Sequence, residues 1–266
     1  MIIDFHTHAF PQKIAESAIA ALKASSKVPA YRQGTAESLV ASMRSAGIDR
    51  SVLLPIATKP SQVVSVNRFA AEWNGKQGLL SFGSVHPEYP DWREALHQIK
   101  AMGLYGVKFH PDFQGCFIDD PHMIEILQEA ASLGLMIVIH AGMDPSFPEV
   151  HHATPERIAR AMKQMPRGTV LVAAHCGGFG YLDDAEKYLV GTQVYLDTSL
   201  LGHYPQEQVL RILRNHEPER LLFASDTPWD DQKEALQRFC ELPLEQELKK
   251  KVLGENAARL LGMVMS

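Results

Sequence analysis

Met1-Ile-Ile-Asp-Phe-His-Thr-His-Ala-Phe-Pro11 opens the chain, and the fold turns on how this stretch is read. Side chains alternate along a strand, so His6 and His8 project from one face of it. Two neighbouring imidazoles fill a core poorly but hold a divalent transition metal well. The same stretch separates two architectures. An open doubly wound sheet that binds dinucleotides carries a glycine-rich loop after its first strand. This chain has His-Thr-His-Ala-Phe-Pro there instead.

Seven further apolar runs rich in Val, Ile and Leu follow: Ser51–Ile56, Leu79–His86, Leu104–His110, Met136–His140, Thr169–His175, Val194–Thr198 and Arg220–Asp226. Their starts lie roughly 25 to 50 residues apart, room for a strand and a crossover helix. Amphipathic stretches fill the gaps, at Ala36–Ala46, Asp91–Met102, Pro121–Leu133, Thr154–Met165 and Pro205–Asn215. Several open on a cap or a first-turn proline, and Gly47, Gly103 and Gly134 close helices before the next strand. Eight strand-then-helix units predict an α/β chain folded as a (β/α)8 TIM barrel, one domain over residues 1–266. Two parts fall outside the repeat. A long connection from Ala9 to Asp49 contains an irregular loop, Ser25–Gly34, expected over the barrel mouth. A tail from Pro243 to Ser266 is expected to add one or two outer helices.

An apolar fraction of 45% with 21% charged residues suits a globular enzyme. A net charge of −5 argues against nucleic acid or an anionic membrane as partner, since both select basic surfaces. The three cysteines are widely spaced and form no CxxC pair, which fits free thiols in a reducing compartment. No secretory signal or apolar run of membrane-spanning length is visible. A cytoplasmic protein acting on a small molecule is therefore expected.

Of the twelve histidines, His6, His8, His86, His110, His140 and His175 end predicted strands, and Asp226 ends the eighth. A barrel points all eight strand ends at one face, the face that holds active sites. Imidazoles and a carboxylate with one position left open describe a catalytic divalent site, Zn²⁺ first by ligand preference.

Taken together, Ile3-Asp-Phe-His-Thr-His8, Gly83-Ser-Val-His-Pro87, Gly106-Val-Lys-Phe-His-Pro111, Ile139-His-Ala-Gly142, Ala174-His-Cys-Gly-Gly178, Tyr195-Leu-Asp-Thr-Ser199 and Leu222-Phe-Ala-Ser-Asp-Thr-Pro228 resemble the amidohydrolase superfamily. The resemblance is to its amidohydrolase-related branch, which holds aminocarboxymuconate-semialdehyde decarboxylase and several hydrolases. It implies metal ligands at His6, His8, His140 and Asp226, with His175 as catalytic base or electrophilic partner and Asp226 as proton shuttle. It implies one ion, Zn²⁺ or alternatively Mn²⁺, and a possible homodimer. The implied activity is hydrolysis of a small lactone, amide or ester bearing a carboxylate, through metal-activated water. Non-oxidative decarboxylation of a small unsaturated or aromatic acid on the same ligands is the alternative. Lys108 and His110 are expected to bind substrate. Lys108 has two other readings: a carboxylated bridge between two metals, as in binuclear relatives, or an ammonium paired with Asp4. A metal-dependent deoxyribonuclease and a non-catalytic barrel fit less well.

Weaker features remain. Gly177-Gly-Phe-Gly180 is either an anion cradle or a tight turn, and Cys176 is expected to be a buried inert thiol. Arg32 could reach a substrate carboxylate, and Trp229, Phe113 and Tyr204 could wall the substrate. His151, His152 and His203 are expected as solvated loop residues.

Overall fold

The computed structural model describes residues 1–263 and is a (β/α)8 barrel. Its strands are β1 Ile3–Thr7, β2 Arg50–Leu53, β3 Leu79–Ser81, β4 Gly106–Phe109, β5 Met136–Ile139, β6 Leu171–Ala173, β7 Tyr195–Asp197 and β8 Leu221–Leu222. They pair in parallel and in chain order, β1 to β3 in one run and β4 to β8 in another. Backbone hydrogen bonds join both seams. Between β3 and β4, the Gly83 and Lys108 amides donate to Gly106 O and Gly83 O at 2.8 Å. Between β8 and β1, the Phe5 amide donates to Phe223 O at 2.8 Å and the Asp226 amide to His6 O at 2.9 Å.

Alternation within the strands builds two apolar layers. In β5, Ile137 and Ile139 pack outward with Ile126 and Leu127 of the helix Pro121–Ser132. Met136 and Val138 pack inward with Val52, Leu54 and Phe82. Ala257, Ala258 and Leu261 join this inner layer, so the C-terminal segment closes the barrel beneath the strand starts. That tail is helical from Gln246 to Leu260, with one π turn at Lys251–Glu255.

The helices Ala36–Ala46, Trp92–Ala101, Pro121–Ser132, Pro155–Met162 and Gln206–Asn215 lie where the amphipathic stretches place them. The irregular loop expected at Ser25–Gly34 is present as Lys27–Gly34, and it is preceded by a helix, Gln12–Ser26, that the sequence reading did not assign. Ala15 is that helix's one buried residue, so its apolar positions pack on no core. Among the described residues, no helix is long and apolar enough to cross a membrane.

His216 gives the fold a pH dependence. Its Nδ1 accepts from the Gly191 amide at 3.1 Å, and its Nε2–H donates to Val194 O at 2.9 Å. Both ring positions are committed to the neutral form, and burial pushes its pKa down to about 4. Because the unfolded chain binds this proton more readily, stability is retained above the ordinary histidine pKa of about 6.5 and lost as pH falls towards 4. The loss is expected to reach up to roughly 3 kcal/mol. Asp4, raised to about 6 by burial, acts in the opposite sense between about pH 4 and 6. Chemical denaturation of wild type and His216→Gln at pH 4.5 and 7 separates the two. The variant is expected to show the smaller acid loss, and equal losses would refute the assignment.

Candidate active site

Three ligand-type atoms converge above β1 and β8. His6 Nε2 and His8 Nε2 are 3.1 Å apart, His8 Nε2 and Asp226 Oδ1 3.1 Å, and His6 Nε2 and Asp226 Oδ1 3.3 Å. The proton count shows what the arrangement needs. His8 Nδ1 lies 2.8 Å from Leu54 O, a pure acceptor, so the ring proton sits on Nδ1 and Nε2 carries a lone pair. His6 Nδ1 lies 2.8 Å from Asp197 Oδ2, with the same consequence. Two lone pairs and a carboxylate oxygen thus face one another, none of them carrying a proton, and the donor beside them is Lys108 Nζ, 3.1 Å from His6 Nε2. In a tetrahedral site, donor atoms bound to zinc at about 2.0–2.2 Å lie about 3.3–3.6 Å apart, at most a few tenths of an ångström beyond the spacings here. The residues fit a divalent ion, with outward hydrogen bonds fixing both imidazole tautomers.

The backbone marks the same place. His175 and Asp226 adopt left-handed φ angles of 60° and 73°, as does Cys176 at 55°. For a non-glycine residue this conformation costs roughly 1–2 kcal/mol and persists where the surroundings over-determine it. These turns also explain why β6 and β8 are shorter than their apolar runs: the chain leaves the ladder as it presents these side chains.

Asp197, at the end of β7, ties the centre together. Besides His6, it accepts through Oδ1 from the His175 amide at 2.9 Å, the Ser199 amide at 3.0 Å and Ser199 Oγ at 2.5 Å. Ser199 Oγ in turn lies 2.8 Å from His175 Nδ1. Sequence reasoning quoted the Tyr195–Ser199 stretch but gave Asp197 no role. A carboxylate at the C-terminal end of a barrel strand was the available signal.

His140 stands apart from the triad. Its Nδ1 lies 3.0 Å from His175 Nε2, and its Nε2 is 3.3 Å from Met143 O. His110 stacks on it at 3.9 Å between ring centroids and pairs through Nε2 with Asp144 at 3.2 Å. Burial pushes the pKa of His6, His140 and His175 well below the ordinary value. Lys108, on β4, is completely buried and points its Nζ at His6 Nε2, 3.1 Å away. Burial lowers its pKa to about 8 against the pull of Asp197 and Asp226.

The pairing of Lys108 with Asp4 is not formed. The register of β1 against β2 shifts between Asp4 and Thr7. Asp4 accordingly faces Ser225 and Gln232, and its carboxylate accepts from both, while His6 faces Lys108. Arg32 is bound to Asp231 at 2.5 Å. His86 accepts from the Glu88 amide in its own turn. His151 is engaged by Tyr181 and His152 by Asp112. The Gly177, Gly178 and Phe179 amides donate to Ala174 O, His175 O and Ala141 O, so the turn reading holds there over the anion cradle. Cys176 is buried, which pushes its thiol up. The Tyr204 hydroxyl donates to His175 O at 3.3 Å.

A cavity of about 760 Å³ opens over these groups. His8, Lys108, His110, His140, His175 and Asp226 contribute to one end of it, and Phe113, Trp229 and His203 also line it.

Over residues 3–263 the chain matches a family described as amidohydrolase. No curated protein matches it by sequence. Solved structures resemble it along their whole lengths. An uncharacterised TIM-barrel protein from Bordetella bronchiseptica has a TM-score of 0.77 at 18% identity, covering 98% of each chain. A putative 2-pyrone-4,6-dicarboxylic acid hydrolase from Pseudomonas putida has 0.68 at 17%, covering 100% of this chain and 98% of that one. A 5-carboxyvanillate decarboxylase from Novosphingobium aromaticivorans, with bound manganese, has 0.73 at 14%, covering 99% and 97%. At these identities the likeness is one of fold.

Proposed function

The chain belongs to the amidohydrolase family, and from that premise we propose that it is a metal-dependent hydrolase of a small, carboxylate-bearing lactone, amide or ester. The observation that carries this reading is the proton-free convergence of His6 Nε2, His8 Nε2 and Asp226 Oδ1 at the floor of an organic-sized cavity. Those three residues would hold one Zn²⁺ or Mn²⁺, and His140 would complete the set by turning its ring from Met143. A divalent ion there supplies Lewis acidity, polarising a carbonyl and easing deprotonation of water.

The chain's own groups account for the rest. The Lys108 ammonium is a fixed cation for the substrate carboxylate, with His110 beside it. His175 is held by Ser199 at Nδ1 and faces His140 Nδ1 with its Nε2; with His140 turned away, that Nε2 would orient the attacking water. Asp226 would take the proton from the attacking water and return that same proton to the leaving group. Apolar walls keep bulk water away from the reacting carbon.

Decarboxylation is the second reading. The apolar walls of the cavity favour it, because a carboxylate that sheds water on entering such a site loses carbon dioxide more readily. The first experiment removes metal with a chelator and restores it with Zn²⁺ or Mn²⁺ while lactones, amides, esters and aromatic acids are screened. Hydrolysis is expected to place one ¹⁸O from labelled water in the product; release of carbon dioxide would select the second reading. Turnover that survives complete metal removal would defeat both.

A further inference from the structure

The helix Gln12–Ser26 is chemically odd for a surface helix. Ile14, Ala18, Ala21 and Leu22 recur at the spacing of one helix face. Yet Ile14 is 49% exposed and Ala15 is the helix's sole buried residue, so this stripe packs on no core. It lines instead the cavity that contains His8, Lys108 and Asp226. Across the cavity stand Leu54, Pro55, Ile56, Val66 and Phe69, contributed by β2's exit and the helix Val63–Trp73. The cavity therefore has a polar end at the barrel axis and an apolar limb between a helix and a loop. Lys59, Thr58, Gln62 and Ser65 fringe the limb, and Lys13 stands on the helix side.

We propose that the substrate carries, besides the head that meets the triad, an aliphatic arm that lies in this limb against Ile14, Ala18, Ala21 and Leu22. This extends the metal-site reading and rests on it. The size argues the same way: 760 Å³ lies among pockets that enclose drug-sized ligands, well beyond a compact acid held at the triad alone. From Ile14 to Leu22 the stripe runs about 12 Å at 1.5 Å per residue, the length of an extended chain of roughly eight to ten carbons. The arm would bury an apolar helix face that the fold leaves bare.

Straight-chain carboxylates from acetate to dodecanoate test the proposal by calorimetry on the Zn²⁺-loaded protein. Affinity is expected to rise about three- to fourfold per methylene, then level off near eight to ten carbons. Octanoate should thus bind on the order of a hundredfold more tightly than butyrate. Tryptophan at Ala21, an exposed helical position, fills the limb without entering the core. Ala21→Trp, with Ala18→Trp as a second variant, is expected to collapse the octanoate-to-butyrate ratio towards one. A flat series in the wild type, or an unchanged ratio in both folded variants, overturns the proposal. Failure of the metal reading would look different: acetate affinity would be indifferent to chelation while the chain-length slope stood.

Discussion

Asp226→Asn is expected to cost the protein its metal while leaving it as stable as the wild type, or more so, when both are metal-free. The two effects have opposite signs for one reason. Asp226 is buried, and burial raises its pKa, so the ionised carboxylate is held at an energetic cost. The Lys108 charge favours the carboxylate, while His8 at 3.1 Å and His6 at 3.3 Å are acceptors when neutral. A neutral amide removes the charge, and it can donate to one of those lone pairs. Asparagine also tolerates the left-handed φ of 73°, which alanine would resist. The same amide cannot replace an anionic ligand. Metal analysis of the purified variant should find under about a tenth of the wild-type content, and activity should fall by 10³-fold or more, the range for loss of a catalytic metal's contribution. Thermal unfolding of the chelated proteins supplies the second half of the test. A variant that retains full metal removes Asp226 from the ligand set, whatever its stability.

The limits of the sequence lie where side chains, rather than elements, decide the outcome. All eight strands were legible because a parallel barrel strand is buried on both faces and is written as a continuous Val, Ile and Leu run. Their upper ends were overextended, since His175 and Asp226 look like final strand residues and are in fact left-handed turns. The helix Gln12–Ser26 escaped because its apolar stripe serves a cavity and not a core. Strand ends offered His6, His8 and Asp226 among seven candidates, and the family resemblance singled out these three together with His140. Asp197 carried the same strand-end signal but was given no role, because its partners lie 191, 22 and 2 residues away and its function shows only when they meet. The position of Lys108 beside His6, and not Asp4, follows from a register shift in β1 that alternation cannot foresee.

Asp197 supports the second large effect, and its asparagine variant is the sharper tool. Truncation to alanine strands the His6 Nδ1–H, the His175 amide and the Ser199 amide in a buried site, at about 1–3 kcal/mol each. A folding defect would then obscure the chemistry. Asparagine keeps one oxygen and gains two N–H donors. Three donors, the two amides and Ser199 Oγ–H, converge on Oδ1, so the remaining oxygen must stay there. The new NH2 group therefore faces His6 Nδ1, formerly 2.8 Å from a carboxylate oxygen. Two donors cannot share that contact, and the cheaper escape is a change of tautomer: Nδ1 becomes the acceptor and the proton moves to Nε2. A protonated Nε2 cannot ligate, and it also points a donor at Lys108 Nζ, 3.1 Å away. In a serine-protease triad the equivalent Asp-to-Asn change locks the wrong tautomer and lowers kcat about 10⁴-fold. A loss of 10²- to 10⁴-fold is expected here, with metal affinity weakened at least 10- to 100-fold, as for other carboxylates behind a ligating histidine. Unfolding should move little, because every hydrogen bond at Oδ1 survives. Nitrogen NMR of ¹⁵N-histidine protein reads the tautomer directly in the zinc-free state. If His6 in Asp197→Asn keeps its proton on Nδ1 and zinc affinity is unchanged, Asp197 does not orient the ligand, and its place at the end of β7 is structural alone.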